Sequence, residues 1–333
     1  MSFVWTIAEQ HGGRLKAVSF ELLSRGRKLA DKLGTKLASV LIGNQVEETS
    51  LEELIQRGAD EVYSIQDSRL EHFVCENYAK VLSRLIKAYQ PSIVLAAATS
   101  SGRTLMPYVA IKVTAGLTAD CTELDIEQGT GNLLQTRPAI GGNIMATIKT
   151  PAHRPQMATV RPRSSRPLEK DPSRTGKIIA VPVTDDMLDS RVSVLGYRHD
   201  ATEFANLEEA DVVVAGGKGL KKGENFTMIR VLAASLGGVA GASREAVDRG
   251  WVAYPYQIGL SGKTISPKLY VGVGISGSIQ HLAGIKTSET IVSINSDPDA
   301  NLHKIADFGI VGDAFQIVPE IQRRLDGRRT EAR

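Results

Sequence analysis

The stretch Leu269-Tyr270-Val271-Gly272-Val273-Gly274-Ile275-Ser276-Gly277-Ser278-Ile279-Gln280-His281-Leu282-Ala283-Gly284 reads as a strand, a tight turn and the start of a helix. The apolar run to Val273 fits a buried strand. Gly272, Gly274 and Gly277 have the spacing of a dinucleotide-binding fingerprint, each lacking the Cβ that would hold backbone away from a ligand. Ser276 and Ser278 fall where the free N–H groups and dipole of a helix start attract an anion. His281 puts a titratable ring on the first helical turn. The same pattern also describes an ordinary strand-to-helix turn of any α/β domain. A ribose-binding carboxylate is expected about 20 residues after such a turn. The next strand, Thr290-Ile291-Val292-Ser293-Ile294, ends in Asn295 instead, whose amide donates and accepts and suits a heterocycle edge as well as a ribose.

Outward from this turn, the second half of the chain alternates strands and helices. Ala210–Ala215 is a predicted strand that enters Gly216-Gly217-Lys218-Gly219, followed by a helix over Ile229–Leu236. Strands over Gly238–Ala242, Leu269–Val273, Thr290–Ile294 and Phe308–Val311 complete a five-strand nucleotide-binding α/β domain. The first half repeats the alternation. Strands over Phe3–Ala8, Lys36–Ile42, Glu61–Ile65 and Ser92–Ala97 are separated by helices over Ser19–Leu33, Leu51–Arg57 and Phe73–Tyr89, which implies a parallel sheet. From Gly116 to Val160 the runs Thr118–Ile126, Leu133–Arg137, Ile144–Ile148 and Met157–Val160 look like antiparallel strands added beside that core. Arg161–Gly176 has three prolines and no apolar period and reads as a loop or linker, solvated or facing an acidic partner. Lys177–Pro182 resumes as a strand. The expected fold is α/β, with an N-terminal parallel-sheet domain over residues 1–205 and a C-terminal Rossmann-like domain over 206–325. A charged, frayed tail follows at 326–333.

With 333 residues, 42% apolar and 23% charged, the chain has the composition of an ordinary soluble protein. A net charge of +3 carries no nucleic-acid footprint. Cys75 and Cys121 are too few for a disulfide framework or a thiolate metal site and are expected to pack as small hydrophobes. No apolar run approaches a membrane span. The N-terminus, with no basic leader, reads as cytoplasmic.

In an open parallel sheet, ligands bind beyond the carboxyl ends of the strands. Gly216–Gly223, Ser243-Arg244, Gly259-Leu260-Ser261-Gly262, Ser276–His281 and Asn295 all fall at that edge by the strand assignment. They supply donors and cations but no paired carboxylates, no Ser-His-Asp set and no metal-ligand spacing, so neither a catalytic nor a metal residue is assigned. Such a set suits a bound redox cofactor that carries the chemistry while the protein orients and tunes it.

Gly272–Gly284, Ser243–Gly250, Gly216–Phe226 and Asn295–Asp313 together resemble the C-terminal FAD domain of the electron-transfer flavoprotein α subunit. The run Val273–Gly284 is close to that family's signature, and Ala306-Asp307-Phe308-Gly309-Ile310-Val311-Gly312-Asp313 continues the likeness. The resemblance spans essentially the whole chain. It implies FAD as cofactor. Ser243 and Arg244 match the pair near the isoalloxazine, the arginine over the ring stabilising its reduced, anionic forms. Ile258, Gly259, Leu260 and Ser261 match a turn whose hydroxyl approaches flavin N5. Ser276, Gly277, Ser278, Ile279 and Gln280 match the segment around flavin and pyrophosphate. His281 matches a histidine near the C2 carbonyl, where positive charge would favour anionic flavin. Asn295, Asp313 and Ala314 match the adenosine end. Each also has a plain reading: Arg244 as a surface helix residue, His281 as a hydrogen-bonded structural histidine, Asp313 as a helix N-cap and Ser261 as a turn serine. The chain departs from the family at Lys218, where arginine is usual, so a point contact replaces a planar fork. It departs again at Leu260-Ser261, where Gln-Thr is usual and an amide is lost.

The resemblance also implies partners: a β subunit held by the N-terminal domain, and an acyl-CoA dehydrogenase-type or other flavin dehydrogenase. Leu133–Ile148 and His153–Pro162 look more like α subunits of the electron-bifurcating, NADH-using group, for which ferredoxin is a separate partner. A hinge near Glu203–Leu207 would let the flavin domain swing between partners. Two other classes stay open on residues alone: a stand-alone NAD(P)-binding oxidoreductase and a non-redox nucleotide-binding regulator.

Overall fold

A computed structural model of the chain describes residues 3–139, 144–189, 191–192, 194–196, 207–208 and 210–331. It divides into two compact units, Met1–Tyr197 and Arg198–Arg333. Residues 203–206 of the expected hinge lie outside the described residues.

The first unit opens with β1 (Val4–Ala8), all of whose residues are buried, as a central parallel strand covered on both faces requires. A short hairpin of β2 (Gln10–His11) and β3 (Arg14–Leu15) precedes α1 (Ala17–Leu33). Then follow β4 (Leu37–Gly43), α2 (Glu48–Gln56), β5 (Glu61–Gln66), α3 (Cys75–Tyr89) and β6 (Ile93–Ala97). Helix α4 (Ser100–Val113) has no counterpart in the sequence reading. Its Ser-Ser-Gly opening and internal Pro107 break the apolar period. The Thr99 hydroxyl, accepting from Gly102 N–H at 3.1 Å, and burial of Leu105, Met106 and Val109 hold it in place. The unit ends with β7 (Leu117–Cys121), β8 (Glu123–Ile126), β9 (Leu133–Ala139), β10 (Ile144–Ile148), β11 (Gln156–Val160) and β12 (Lys177–Ala180).

Of the strands expected to be antiparallel, β7 and β11 prove parallel. The seven-stranded sheet has the order β12-β5-β4-β1-β6-β11-β7, and β11 and β7 join it in parallel. Only β8, β9 and β10 form the separate antiparallel sheet. The direction of both strands departs from expectation because a short β-branched run carries no sign of strand direction. The segment 161–176 is the expected loop, exposed over most of its second half, and some of its arginines tie it to the unit. Arg161 pairs with Asp120, Arg174 lies 3.5 Å from Asp60, and Arg57 donates to the Leu168 carbonyl at 2.8 Å. The acids it meets are the chain's own.

The second unit contains β13 (Val212–Gly216), α5 (Phe226–Ser235), β14 (Val239–Ala242), α6 (Arg244–Asp248), β15 (Leu269–Val273), α7 (Ile279–Ala283), β16 (Thr290–Asn295), β17 (Phe308–Val311) and α8 (Ala314–Glu331). Its five strands are all parallel, in the order β14-β13-β15-β16-β17. Side-chain alternation feeds two cores. Val214, Val271 and Val273 meet Phe226, Ile229 and Val318 on one face. Val213, Ala215 and Tyr270 meet Ile258, Ile285 and Leu302 on the other. Helix α8 runs to Glu331, past Leu325. No helix among the described residues is long and apolar enough to cross a membrane.

Candidate functional site

The order of the second sheet reverses between β13 and β15, and the carboxyl ends of those strands define the topological switch point where ligands bind in such sheets. Two turns meet there. Gly217 N–H donates to Val273 O and Gly219 N–H to Gly274 O, both at 2.9 Å. A Cβ on Gly217 would stand 2.4 Å from Gly274 O, and one on Gly219 2.7 Å from Gly274 Cα. Gly277, at φ +84°, packs against backbone at Leu302, 2.5 Å from where a Cβ would sit. The space a Cβ would need at these glycines is taken up by close packing of backbone. They admit neighbouring backbone, and the fingerprint spacing builds the floor of the site.

Direct contacts run on from this floor. Ser243 N–H donates to Gly216 O at 3.0 Å. Leu260 N–H donates to Gln280 O at 3.0 Å, and Ile258 N–H to Ala242 O at 2.9 Å. Asn295 Nδ2 donates to Ile275 O at 3.0 Å, and Gly312 N–H to Asn295 O at 3.0 Å. The five strand ends thus bring Lys218, Ser243, Arg244, the 258–261 turn, Ser276–His281, Asn295 and Asp313 to one continuous edge.

Individual side chains differ in what they leave free. Ser243 sits at the position before α6 yet caps nothing: its buried Oγ has no partner among the described residues. Serine before a helix ordinarily spends its hydroxyl on that helix, so an idle one at a sheet edge marks room for another acceptor or donor. Lys218 is exposed, 3.9 Å from Glu245. Arg244 is exposed and paired with Asp248 one turn on, 3.2 Å away. Ser261 Oγ accepts from Gln257 Nε2 at 3.0 Å. Ser276 and Gln280 are exposed, and Ile279 and Leu260 present apolar side chains to solvent beside them. Helix α7 has five residues, so N–H groups rather than a long helix dipole are what it brings to an anion. Asn295 spends its amide internally, accepting Asp297 N–H at 3.1 Å as well as donating to Ile275. Asp313 accepts Phe315 N–H at 3.0 Å and caps α8, whose first residue Ala314 is buried.

His281 departs from the charge expected of it. Its ring is buried, with Nδ1 3.1 Å from Ile258 O and Nε2 2.7 Å from the Tyr270 hydroxyl. Burial lowers its pKa to about 4, against the smaller upward pull of the Ile258 hydrogen bond. The ring is neutral at pH 7 and brings no positive charge. Tyr270 and the buried brace Gln257 escaped the sequence reading. Tyr270 was visible as the one polar-tipped ring inside an otherwise apolar strand.

Elsewhere, an open cleft of about 710 Å³ in the first unit is lined by Arg27, Lys36, Asp60, Glu61 and Lys177. It lies at the amino ends of its strands. Four of its charges are paired, Arg27 with Asp60 at 2.7 Å and Lys36 with Glu61 at 2.8 Å. Burial pushes the Cys121 thiol up to about 12 and raises that of Cys75, which leaves both unreactive.

Two α/β units, the second with a donor-lined edge at its switch point and an idle buried hydroxyl, define a protein built to hold a nucleotide-type cofactor. The buried Ser243 hydroxyl, the exposed apolar Ile279 and Leu260, and the cations nearby fit a ligand that combines apolar rings with phosphates. Residues 4–186 match the family model of the Electron transfer flavoprotein domain, and residues 206–286 that of the Electron transfer flavoprotein FAD-binding domain. The chain is 49% identical over 316 residues to an electron transfer flavoprotein subunit alpha of Thermoanaerobacterium thermosaccharolyticum, covering 95% of each chain. It is 45% identical over 318 residues to Protein FixB of Clostridium saccharobutylicum, covering 96% of this chain and 94% of the other. It is 44% identical over 330 residues to Protein FixB of Azorhizobium caulinodans, covering 98% and 89%. The chain belongs to the electron transfer flavoprotein α-subunit family, and the cofactor of its second matched domain is FAD. The alternative of a stand-alone NAD(P)-binding oxidoreductase gains no support from these matches.

Proposed function

We propose that this chain is the FAD-holding α subunit of an electron carrier. It pairs with a β subunit and passes electrons between a donor linked to that subunit and a dehydrogenase of the acyl-CoA dehydrogenase type. The observation that carries the proposal is the buried, unpartnered Ser243 hydroxyl at the carboxyl edge of a parallel sheet, in a segment that matches an FAD-binding domain. When bound, FAD supplies reversible electron uptake and release. The chain's residues do the rest. Ser243 offers one hydrogen bond, and the backbone from Ser276 to Gln280 offers N–H groups to phosphate. Lys218 and Arg244 add positive charge, while Ile279 and Leu260 cover apolar ring surface and exclude water. Ile258, Gly259 and Ser261 hold the facing turn, Asn295 and Asp313 with Ala314 shape the far end, and His281 acts from beneath.

The test is purification with the β subunit followed by a visible spectrum, a flavin count and FAD titration. A yellow complex is expected. Ser243→Ala is expected to weaken FAD binding roughly 5- to 100-fold, the effect of losing one buried hydrogen bond. A colourless complex that takes up no added FAD refutes the proposal. The count also separates its finer forms. Two flavins per heterodimer mark a bifurcating complex that draws on NADH and ferredoxin, and one flavin with AMP marks a simple shuttle.

A further inference from the structure

Tyr270, on β15, is fully buried, and its hydroxyl reaches His281 on α7 at 2.7 Å. The opposite nitrogen of that ring meets the carbonyl of Ile258, on the turn that carries Gly259, Leu260 and Ser261, at 3.1 Å. Three separate pieces of the site's frame are joined through one imidazole.

The direction of each bond follows from the atoms. A carbonyl oxygen only accepts, so Nδ1 carries a proton and donates to Ile258. His281 is 4% exposed, and a second proton would put an uncompensated charge in that space. Nε2 therefore keeps its lone pair and accepts. The Tyr270 hydroxyl, its own pKa raised by burial, is the donor. Without that donor the Nε2 lone pair would be buried and unpaired. Moving the ring proton to Nε2 would then set a bare Nδ1 against the Ile258 oxygen, lone pair facing lone pair.

We infer that Tyr270 is a positioning residue: its hydroxyl satisfies the buried Nε2 lone pair of the Nδ1–H ring that the Ile258 carbonyl selects and, through that ring, clamps the 257–263 turn onto α7. It touches no ligand. Two other fastenings share the clamp, Leu260 N–H to Gln280 O at 3.0 Å and Ile265 N–H to Gly284 O at 2.8 Å. Loss of the hydroxyl should thus loosen the turn without unfolding the unit. The functional part of this inference rests on the proposal that these turns hold FAD, whereas the protonation pattern does not.

The experiment uses the full chain with its β subunit, its histidines labelled with ¹⁵N in the ring. Long-range ¹H–¹⁵N spectra recorded after flavin removal identify the His281 tautomer directly. The wild type is expected to show a single neutral Nδ1–H ring. Tyr270→Phe, which keeps the packed ring, is expected to keep the Nδ1–H form but to shift the Nε2 resonance as its hydrogen bond is lost, with about tenfold weaker FAD binding. In a His281→Leu background, Tyr270→Phe should cause no further loss of FAD affinity, because its effect passes through the imidazole. An Nε2–H ring in the wild type overturns the inference, and that reading needs no variant to fold. An unshifted Nε2 resonance with unchanged FAD affinity in Tyr270→Phe, or additive losses in the double variant, overturn it as well. A wild-type complex that never binds FAD would sink the functional proposal while leaving the tautomer assignment readable.

Discussion

Replacing Gly217 by alanine adds one methyl group where the turns after β13 and β15 cross. The backbone of Gly217, at φ −116° and ψ −170°, is open to any residue, so the substitution carries no conformational penalty of its own. The new Cβ would stand 2.4 Å from Gly274 O and 2.9 Å from its carbon. Both are backbone atoms that cannot rotate aside. Ordinary contact begins near 3.4 Å, so the turns must part by about 1 Å. That movement would stretch the 2.9 Å bond from Gly219 N–H to Gly274 O beyond hydrogen-bonding range. Overpacking costs about 1–3 kcal/mol and the lost bond about 1 kcal/mol, together about 2–4 kcal/mol. For a unit of this size the shift in midpoint is roughly 10 °C. Thermal unfolding followed by circular dichroism reads it, with Gly327→Ala as the control. Gly327 lies within α8, where an added Cβ meets nothing within 4 Å, and alanine there should be neutral or stabilising by up to about 1 kcal/mol. Equal midpoints for Gly217→Ala and wild type would refute the claim that Gly217 serves backbone packing where the two turns cross, and a drop in FAD affinity at unchanged stability would make it a ligand contact instead.

Two further outcomes test the electrostatics. The folded pKa of His281, about 4, lies below the ordinary 6.5, so the unfolded chain binds the proton more readily. The stability this confers is complete above about pH 6.5 and is lost as pH falls towards 4, worth on the order of 3 kcal/mol; urea unfolding from pH 7 to 4 should show the loss, and His281→Leu should flatten it. At Asp120, burial alone would raise the carboxyl, but the Arg161 hydrogen bonds and the charges of Arg161, Arg103 and Arg137 outweigh it and hold the group below the usual range. Wild-type stability from this pair is therefore present above about pH 4 and lost on further acidification. Arg161→Met should cost about 1–3 kcal/mol at pH 7 and lose part of that penalty on acidification, because the unpaired carboxyl then takes up a proton. A penalty that stays constant with pH would refute the pairing.

Much of this protein was legible in its residues because the signals are local and periodic. The apolar runs at Val4–Ala8 and Leu269–Val273 could only be buried strands, and the alternation around them could only be α/β. The clustering of Ser243, Ser276–His281 and Asn295 at one edge followed from strand assignment alone, since strand ends in a parallel sheet share a side. What escaped was non-local. Helix α4 depends on packing that outweighs Pro107. The parallel entry of β11 beside β6 depends on pairing between residues more than sixty positions apart.

The order of residues alone determined two α/β halves, a glycine turn entering a short helix, and membership of a flavoprotein family. Tertiary structure decided what the glycines and the histidine do there. Gly217 and Gly274 serve close backbone crossing because the turns after two neighbouring strands converge on one point. His281 is neutral because burial between elements distant in sequence disfavours its charged form, against the upward pull of the Ile258 hydrogen bond. Charge and hydrogen-bond direction depend on what surrounds a side chain, and for these residues the surroundings exist only once the chain has folded.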